Sequence, residues 1–264
     1  MRYRAVISYF GARYVGWQRQ LNGLSVQEVF EKALEKTFGT KTAATASGRT
    51  DAGVHAEGQV VHFDADTSIP VDKIPFAVNT HLPDDVSMLS CEVVSDDFNA
   101  RFNAKRKTYC YKTYISKHRR PVLEPTHEHI IVPVDLDKIK EACKIIEGTH
   151  DFKCFEASGS IIKNTVRTIY SIEVETAPLQ TYSSEDSATE KDGLLTNSVM
   201  NVYVTGNGFL YNMVRIIAGT LLYVGIGKLT PDDVRTILES GDRKLAGKTL
   251  SAKGLHLSLI HISE

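Results

Sequence analysis

Asp51 stands in Ala46-Ser47-Gly48-Arg49-Thr50-Asp51-Ala52-Gly53-Val54-His55, a glycine-rich connection with an arginine two residues before the carboxylate. A short acidic side chain presented this way can serve as nucleophile or base, and a neighbouring guanidinium favours its ionised form. The same residue types also build a turn or helix cap, in which Asp bonds a nearby backbone N–H. Spacing alone leaves both readings open. Arg215 is the second candidate. It is the only charge in Phe209–Val224, an otherwise apolar run. An unpaired buried charge is very costly, so this arginine must snorkel, form a structural ion pair, or reach a catalytic carboxylate or phosphate. The third candidate is a basic stretch interleaved with tyrosines: Lys105, Arg106, Lys107, Tyr109, Tyr111, Lys112, Lys117, Arg119 and Arg120. A solvated sheet face explains it, and so does an RNA platform, with bases on rings and cations on phosphates.

Other chemistries fit less well. Gly225-Ile226-Gly227-Lys228 lacks the earlier glycine and the following Ser or Thr of a phosphate loop, and no GxGxxG opens a helix after a strand. A nucleotide cofactor is not expected. His55, His62, Asp64 and Asp66 have metal-ligating atoms, but their spacing gives no closed ligand set. His118, His127, His129 and His150 pair with no obvious nucleophile. The four cysteines Cys91, Cys110, Cys143 and Cys154 are dispersed, as expected for free thiols in a reducing cytoplasm.

The elements that must hold these residues follow from period and punctuation. Arg2–Phe10 alternates as a strand with Tyr3, Ala5, Ile7 and Tyr9 in one phase, and Gly11–Gln20 is a loop carrying the only tryptophan. Ser25-Val26-Gln27-Glu28 is a capping box opening a helix to about Thr37. Strands are expected at Lys41–Ser47 and Gln59–Asp66, on either side of the Asp51 loop, and a helix is expected to start at Pro75. Val86–Ser95 and Lys107–Ile115 are strands, the latter with Lys107, Tyr109, Tyr111 and Thr113 on one face. Asp135–Glu147 is an amphipathic helix ended by Gly148, and Asn164–Glu175 and Ser198–Thr205 are strands around an acidic, solvated insertion, Thr176–Thr196. A buried helix over Phe209–Val224, a helix capped by Thr230-Pro231, and a closing strand over Leu255–Ile262 complete the chain. Helices mixed with antiparallel-looking neighbours argue α+β, not a doubly wound parallel sheet.

Composition adds bounds. The 264 residues are 42% hydrophobic and 24% charged with a net charge of −1, ordinary for one large domain or two packed halves. Total charge therefore points to neither nucleic acid nor membrane, although its segregation can focus a local field. No apolar run approaches the ~20 residues of a membrane span, and Met1-Arg2-Tyr3-Arg4 leads straight into strand-like sequence, so a cytoplasmic protein is expected.

Several blocks together are similar to one family. Gly16-Trp17-Gln18-Arg19-Gln20, Ser25-Val26-Gln27-Glu28, Gly48-Arg49-Thr50-Asp51-Ala52-Gly53-Val54-His55 and Gly58-Gln59-Val60-Val61-His62-Phe63 resemble the tRNA pseudouridine synthase A family. Asn79-Thr80-His81-Leu82-Pro83, Asp97-Phe98-Asn99-Ala100-Arg101-Phe102, Tyr109-Cys110-Tyr111, Phe209-Leu210-Tyr211-Asn212-Met213-Val214-Arg215 and Gly254-Leu255 continue the resemblance in order. It implies an α+β fold of two similar halves, 1–104 and 105–264, around a central mixed, largely antiparallel sheet flanked by helices, with an active cleft between the halves. It also implies isomerisation of uridine to pseudouridine at positions 38, 39 and 40 of the tRNA anticodon arm after base flipping. The enzyme would be a homodimer on tRNA without metal or organic cofactor. Carried over, Asp51 aligns with the catalytic aspartate, Tyr109 with the tyrosine that stacks on the target uracil, Arg215 with the basic partner of the aspartate, and Arg49 with an arginine of base extrusion. Lys105, Arg106, Lys107, Arg119 and Arg120 become candidate tRNA contacts. The departures, a longer acidic insertion and the variant Ser251-Ala252-Lys253, leave the tRNA set open. Two rivals remain: a non-catalytic RNA-binding protein on the same basic face, and a metal-dependent hydrolase.

Overall fold

The computed structural model describes residues 1–159, 162–180, 190–191 and 193–262. Its elements run β1 (Arg2–Tyr9), α1 (Val26–Phe38), β2 (Ala44–Ala46), β3 (His55–Asp64), α2 (Ile74–Asn79), β4 (Val86–Val94), β5 (Ala104–Ile115), β6 (Glu128–Ile130) and β7 (Val134–Asp135). Then follow α3 (Leu136–Ile146), β8 (Gly148–Asp151), β9 (Val166–Pro178), β10 (Glu190–Lys191), β11 (Leu194–Leu195), β12 (Ser198–Gly206), α4 (Met213–Gly225), α5 (Pro231–Ser240) and β13 (Leu255–Ile262). No helix among the described residues is long and apolar enough to cross a membrane. The chain forms two compact units, Met1–Lys107 with the chain from His256 onward, and Thr108–Leu255. This division falls slightly later than one after residue 104. It also returns the last strand to the first unit, because His256 and Leu257 pair in parallel with His55 and Ala56.

The first unit is α+β, with strands in the order β4-β1-β3-β13 and β2 on β3. All its pairs are antiparallel except β3 with β13. The alternation read in β1 holds: Tyr3, Ala5, Ile7 and Tyr9 are buried. Phe63 of β3 meets Tyr3, Phe30 and Phe38, with ring centroids 5.5, 6.4 and 5.9 Å away. Burying a side chain such as Phe30 contributes roughly 1.5–3 kcal/mol, which draws α1 onto the sheet. The cap of α1 is half of the expected box. Ser25 Oγ accepts from Glu28 N, while the Glu28 carboxylate pairs with Lys32 one turn on. Pro75 lies in the first turn of α2, as expected of a residue without an N–H.

The second unit is also α+β, with the order β5-β12-β9-β8 and β6 parallel to β5. β12–β9 and β9–β8 are antiparallel, and β10-β11-β7 form a small antiparallel sheet. Within the stretch read as an acidic insertion, 181–189 and 192 lie outside the described residues. β5 departs from the solvated face expected of it: Tyr109, Cys110, Tyr111, Thr113, Tyr114 and Ile115 are all buried. Tyr111 is 0% exposed and donates its hydroxyl to Ser251 O at 2.9 Å, so it is a core residue and no stacking platform. α3 is capped by Asp135, and Glu147, before Gly148, ends it. α5 carries the complete capping box, with Thr230 and Asp233 reciprocally bonded.

His127 carries a pH dependence of this unit. Burial, with the charges of Lys112 and Lys253 adding to it, lowers its pKa to about 4. Its neutral form is the one the fold accepts, so its contribution is whole above the unfolded value near 6.5. It is lost as pH falls toward 4, because unfolding then takes up about one proton. Urea unfolding midpoints between pH 7 and 5 should fall for the wild type and fall less for His127→Gln. Equal slopes would remove His127 as the cause.

Candidate active site

The Asp51 loop leaves β2 and enters β3, which are antiparallel neighbours with Ala46 opposite Val61. The loop's entry is fixed from beneath by buried polar groups. Ser47 N donates to Val60 O, and Ser47 Oγ donates to Gln59 Oε1 at 2.7 Å. Gln59 Nε2 donates to Gly48 O at 2.7 Å, and Lys107 Nζ to Ser47 O at 2.7 Å. Ser47 and Gln59 are both 0% exposed. Buried polar groups that satisfy one another in this way specify a single backbone path, because breaking any one bond leaves its partner unmet.

The exit is held by the segment from Tyr9 to Trp17. The Tyr9 hydroxyl bonds Thr50 Oγ1 at 2.7 Å, and burial raises the phenol above its ordinary pKa, keeping it protonated. Trp17 N donates to Thr50 O at 3.0 Å and Gly53 N to Tyr14 O at 3.2 Å. Gly11 N donates to His55 Nδ1 at 3.0 Å, which fixes the tautomer with its proton on Nε2. His55 is stacked between Phe10 and His256, with centroids 4.6 and 4.7 Å away. Close approach makes two glycines necessary. A Cβ on Gly11 would lie 1.9 Å from Val54 O, and one on Gly16, at φ +104°, 2.5 Å from Thr50 O. Asp51 itself opens a β-turn, Val54 N to Asp51 O at 3.1 Å, with Gly53 at φ +77° as the third position of a type II turn requires. The turn role that Asp51's sequence allowed is therefore real for its backbone. Its half-buried side chain is carried on that turn.

The histidines here have structural partners. His62 Nδ1 accepts from Ala100 N at 3.1 Å, and burial lowers the pKa of His62. Among the described residues no group of three or more His, Cys, Asp or Glu is arranged to hold a metal.

In the second unit, α4 starts at Met213, later than the apolar run suggests. Asn212 adopts a left-handed conformation, φ 58°, that Asn tolerates and most residues do not. Arg215 then points its guanidinium at neutral acceptors. Nε donates to Leu250 O and Nη1 to Asn212 Oδ1, each at 2.6 Å. The acceptor at Leu250 is set by a backbone-to-backbone contact. A Cβ on Gly219 of α4 would lie 1.9 Å from Lys248 O, and one on Gly247 2.5 Å from Gly219. Tyr109 is 8% exposed and meets Phe209 edge-on at 5.2 Å. Thr108 Oγ1 and Thr205 Oγ1, 2.8 Å apart, tie the start of this strand to β12.

Asp51, Arg49, Lys105, Arg106 and Lys107 belong to the first unit, and Tyr109, Arg119, Arg120 and Arg215 to the second. Arg49, Lys105, Arg106 and Arg119 are exposed. Lys107 differs: it is drawn under the loop, and burial, then the charge of Arg101, lowers its pKa. Arg120 is partly committed to Asn197 Oδ1 at 3.3 Å. Tyr9 was legible as a strand residue and Gly16 and Gln59 as parts of the family-like blocks, but the hold that they, Gly11 and Lys107 have on the loop was not. The clustering of small and amide residues on both sides of the loop was the available signal.

The tRNA pseudouridine synthase family model matches residues 5–103 and 142–261, which takes in Asp51 and Arg215 and leaves Tyr109 between the matched stretches. The tRNA pseudouridine synthase A of Ruminiclostridium cellulolyticum is 43% identical over 258 residues, covering 98% of each chain. Those of Thermoanaerobacter pseudethanolicus and Bacillus subtilis are both 42% identical, over 252 and 260 residues, covering 96% and 97% of each chain respectively. With the family model matching most of this chain and these relatives aligned almost end to end, the chain belongs to the tRNA pseudouridine synthase A family.

Proposed function

We propose that this protein isomerises uridine to pseudouridine at positions 38, 39 and 40 of the tRNA anticodon arm, in the cytoplasm, as a homodimer. The observation that carries the reading is Asp51, a carboxylate on a loop clamped at both ends, inside a stretch matched by the family model. The reaction breaks the N1–C1′ glycosidic bond and forms C5–C1′. The C5 proton leaves and N1 regains one, so atoms and electrons balance without redox chemistry. Asp51 attacks C1′ as nucleophile or removes the C2′ proton as base to give a glycal; either role needs its ionised form. Arg215 supplies the cation that favours that form, and Arg49 assists extrusion of the base, which costs a few kcal/mol. Arg215's neutral acceptors within its own unit leave Nη2 without a partner among the described residues, which supports that assignment. Lys105, Arg106 and Arg119, exposed, take backbone phosphates, with Lys107 and Arg120 contributing field more than direct contact.

Purified protein should release tritium from tRNA labelled at uridine C5 and place pseudouridine at the three positions; tRNA binding without release would favour the non-catalytic rival. Tyr109 stacks on the flipped uracil in this reading. Tyr109→Leu should then lower kcat/KM roughly 10–100-fold while Tyr109→Phe stays near wild type, as ring stacking of ~1–3 kcal/mol implies. Equal loss in both variants would assign the effect to the hydroxyl.

A further inference from the structure

Phe102 is 75% exposed, yet the turn that carries it is rigidly built. Asn99 N donates to Asn103 Oδ1 and Asn103 N to Asn99 O, each at 2.9 Å. Arg101 N donates to Asn99 Oδ1 at 3.0 Å, and Phe102 N to Asn99 O at 3.1 Å. Ala100, 0% exposed, anchors the turn inward through its N–H on His62. A floppy loop can leave a phenyl ring in water by default. Here five hydrogen bonds and a buried alanine aim it there. The chain around it, Phe98-Asn99-Ala100-Arg101-Phe102-Asn103-Ala104-Lys105-Arg106-Lys107, has four cations and no acid. Arg101 lies over the ring, Cζ 5.9 Å from its centroid, and Lys105 and Arg106, both exposed, follow within four residues at the start of β5. Phe76, also 70% exposed, lacks this setting, because the cation near it, Lys73, pairs with Asp72 at 3.3 Å.

We infer that Phe102 is a stacking platform for an unpaired base of the tRNA substrate, with Arg101, Lys105 and Arg106 holding the flanking phosphates. Every base has a π-face, so a fixed ring beside cations grips single-stranded or splayed nucleotides without reading sequence. A second copy of this chain fits less well, since the cations around the ring would oppose one another across a two-fold contact. The inference rests on tRNA being the substrate.

The test is tRNA binding by filter retention, together with turnover at saturating tRNA, thermal midpoint and sedimentation. Phe102→Ala should raise the Kd about 10-fold, within the ~5–150-fold that stacking supports, with unchanged kcat and thermal midpoint. Phe102→Trp should restore wild-type affinity, and Phe102→Leu should not. Unchanged affinity in Phe102→Ala overturns the inference. So does full affinity in Phe102→Leu, or a change of oligomeric state without a change in affinity. Because the readout is binding, these outcomes are separate from a failure of the isomerase reading, in which the wild type itself would release no tritium.

Discussion

Asp51→Asn should still bind tRNA within about twofold of wild type and release tritium from 5-labelled uridine at least about 10⁴-fold more slowly, the scale seen when a lone nucleophile is removed. The substitution is nearly isosteric, and Asn suits the first position of a β-turn as well as Asp does. The bonds that shape the loop include those of the Asp51 carbonyl, Thr50, Ser47 and Gly48, all of which the substitution leaves in place. Lost turnover in this variant therefore reports chemistry, provided its thermal midpoint stays close to that of the wild type. Turnover within 100-fold of wild type would remove Asp51 from the reacting atoms.

Gly16→Ala should lower stability by about 3–5 kcal/mol, adding backbone strain at a positive φ to overpacking, each worth roughly 1–3 kcal/mol. At about 2–4 °C per kcal/mol, the thermal midpoint should drop by roughly 6–20 °C. The new methyl would meet Thr50 O at 2.5 Å and Asp51 C at 3.1 Å, both backbone atoms. Neither can rotate aside. Relief requires moving the loop that carries Asp51, so turnover should fall even at temperatures where the variant stays folded. Gly39→Ala is the control. Its φ of +74° carries similar strain, but nothing lies within 4 Å of the added carbon. It should lose about 1 kcal/mol and keep full turnover. A Gly16→Ala protein with wild-type midpoint and rate would show that the close approach does not constrain the loop.

Periodicity made most elements legible. The phase of β1, the buried stripe of α1 and the start of α2 at its proline follow from local chemistry, and so does the Thr230 cap. Local rules failed where a distant part of the chain decides. Tyr111 alternates as though on a wet face, but Ser251, 140 residues on, takes its hydroxyl. Glu28 stands where a capping box wants it and pairs with Lys32 instead. The Asp51 loop was conspicuous in the sequence, and what clamps it was not. Tyr9 and Thr50 are 41 residues apart, Gly11 and His55 44, and Lys107 and Ser47 60. Glycines at Gly11 and Gly16 look like ordinary loop residues until the backbone they admit is seen.

The clamp also bears on how a substrate is chosen. Amides at Trp17, Gly53 and Val54 are donors within that clamp and should exchange with solvent slowly, at rates near those of the strands. In the proposed reaction a loop this stiff does not fold over its substrate, so the distortion falls to the RNA. Preference among uridines then follows the cost of unstacking each one: a nucleotide in a loop or beside a weak pair is taken before one in a firm stem. The rigidity of a few protein bonds becomes a ruler for the softness of the nucleic acid.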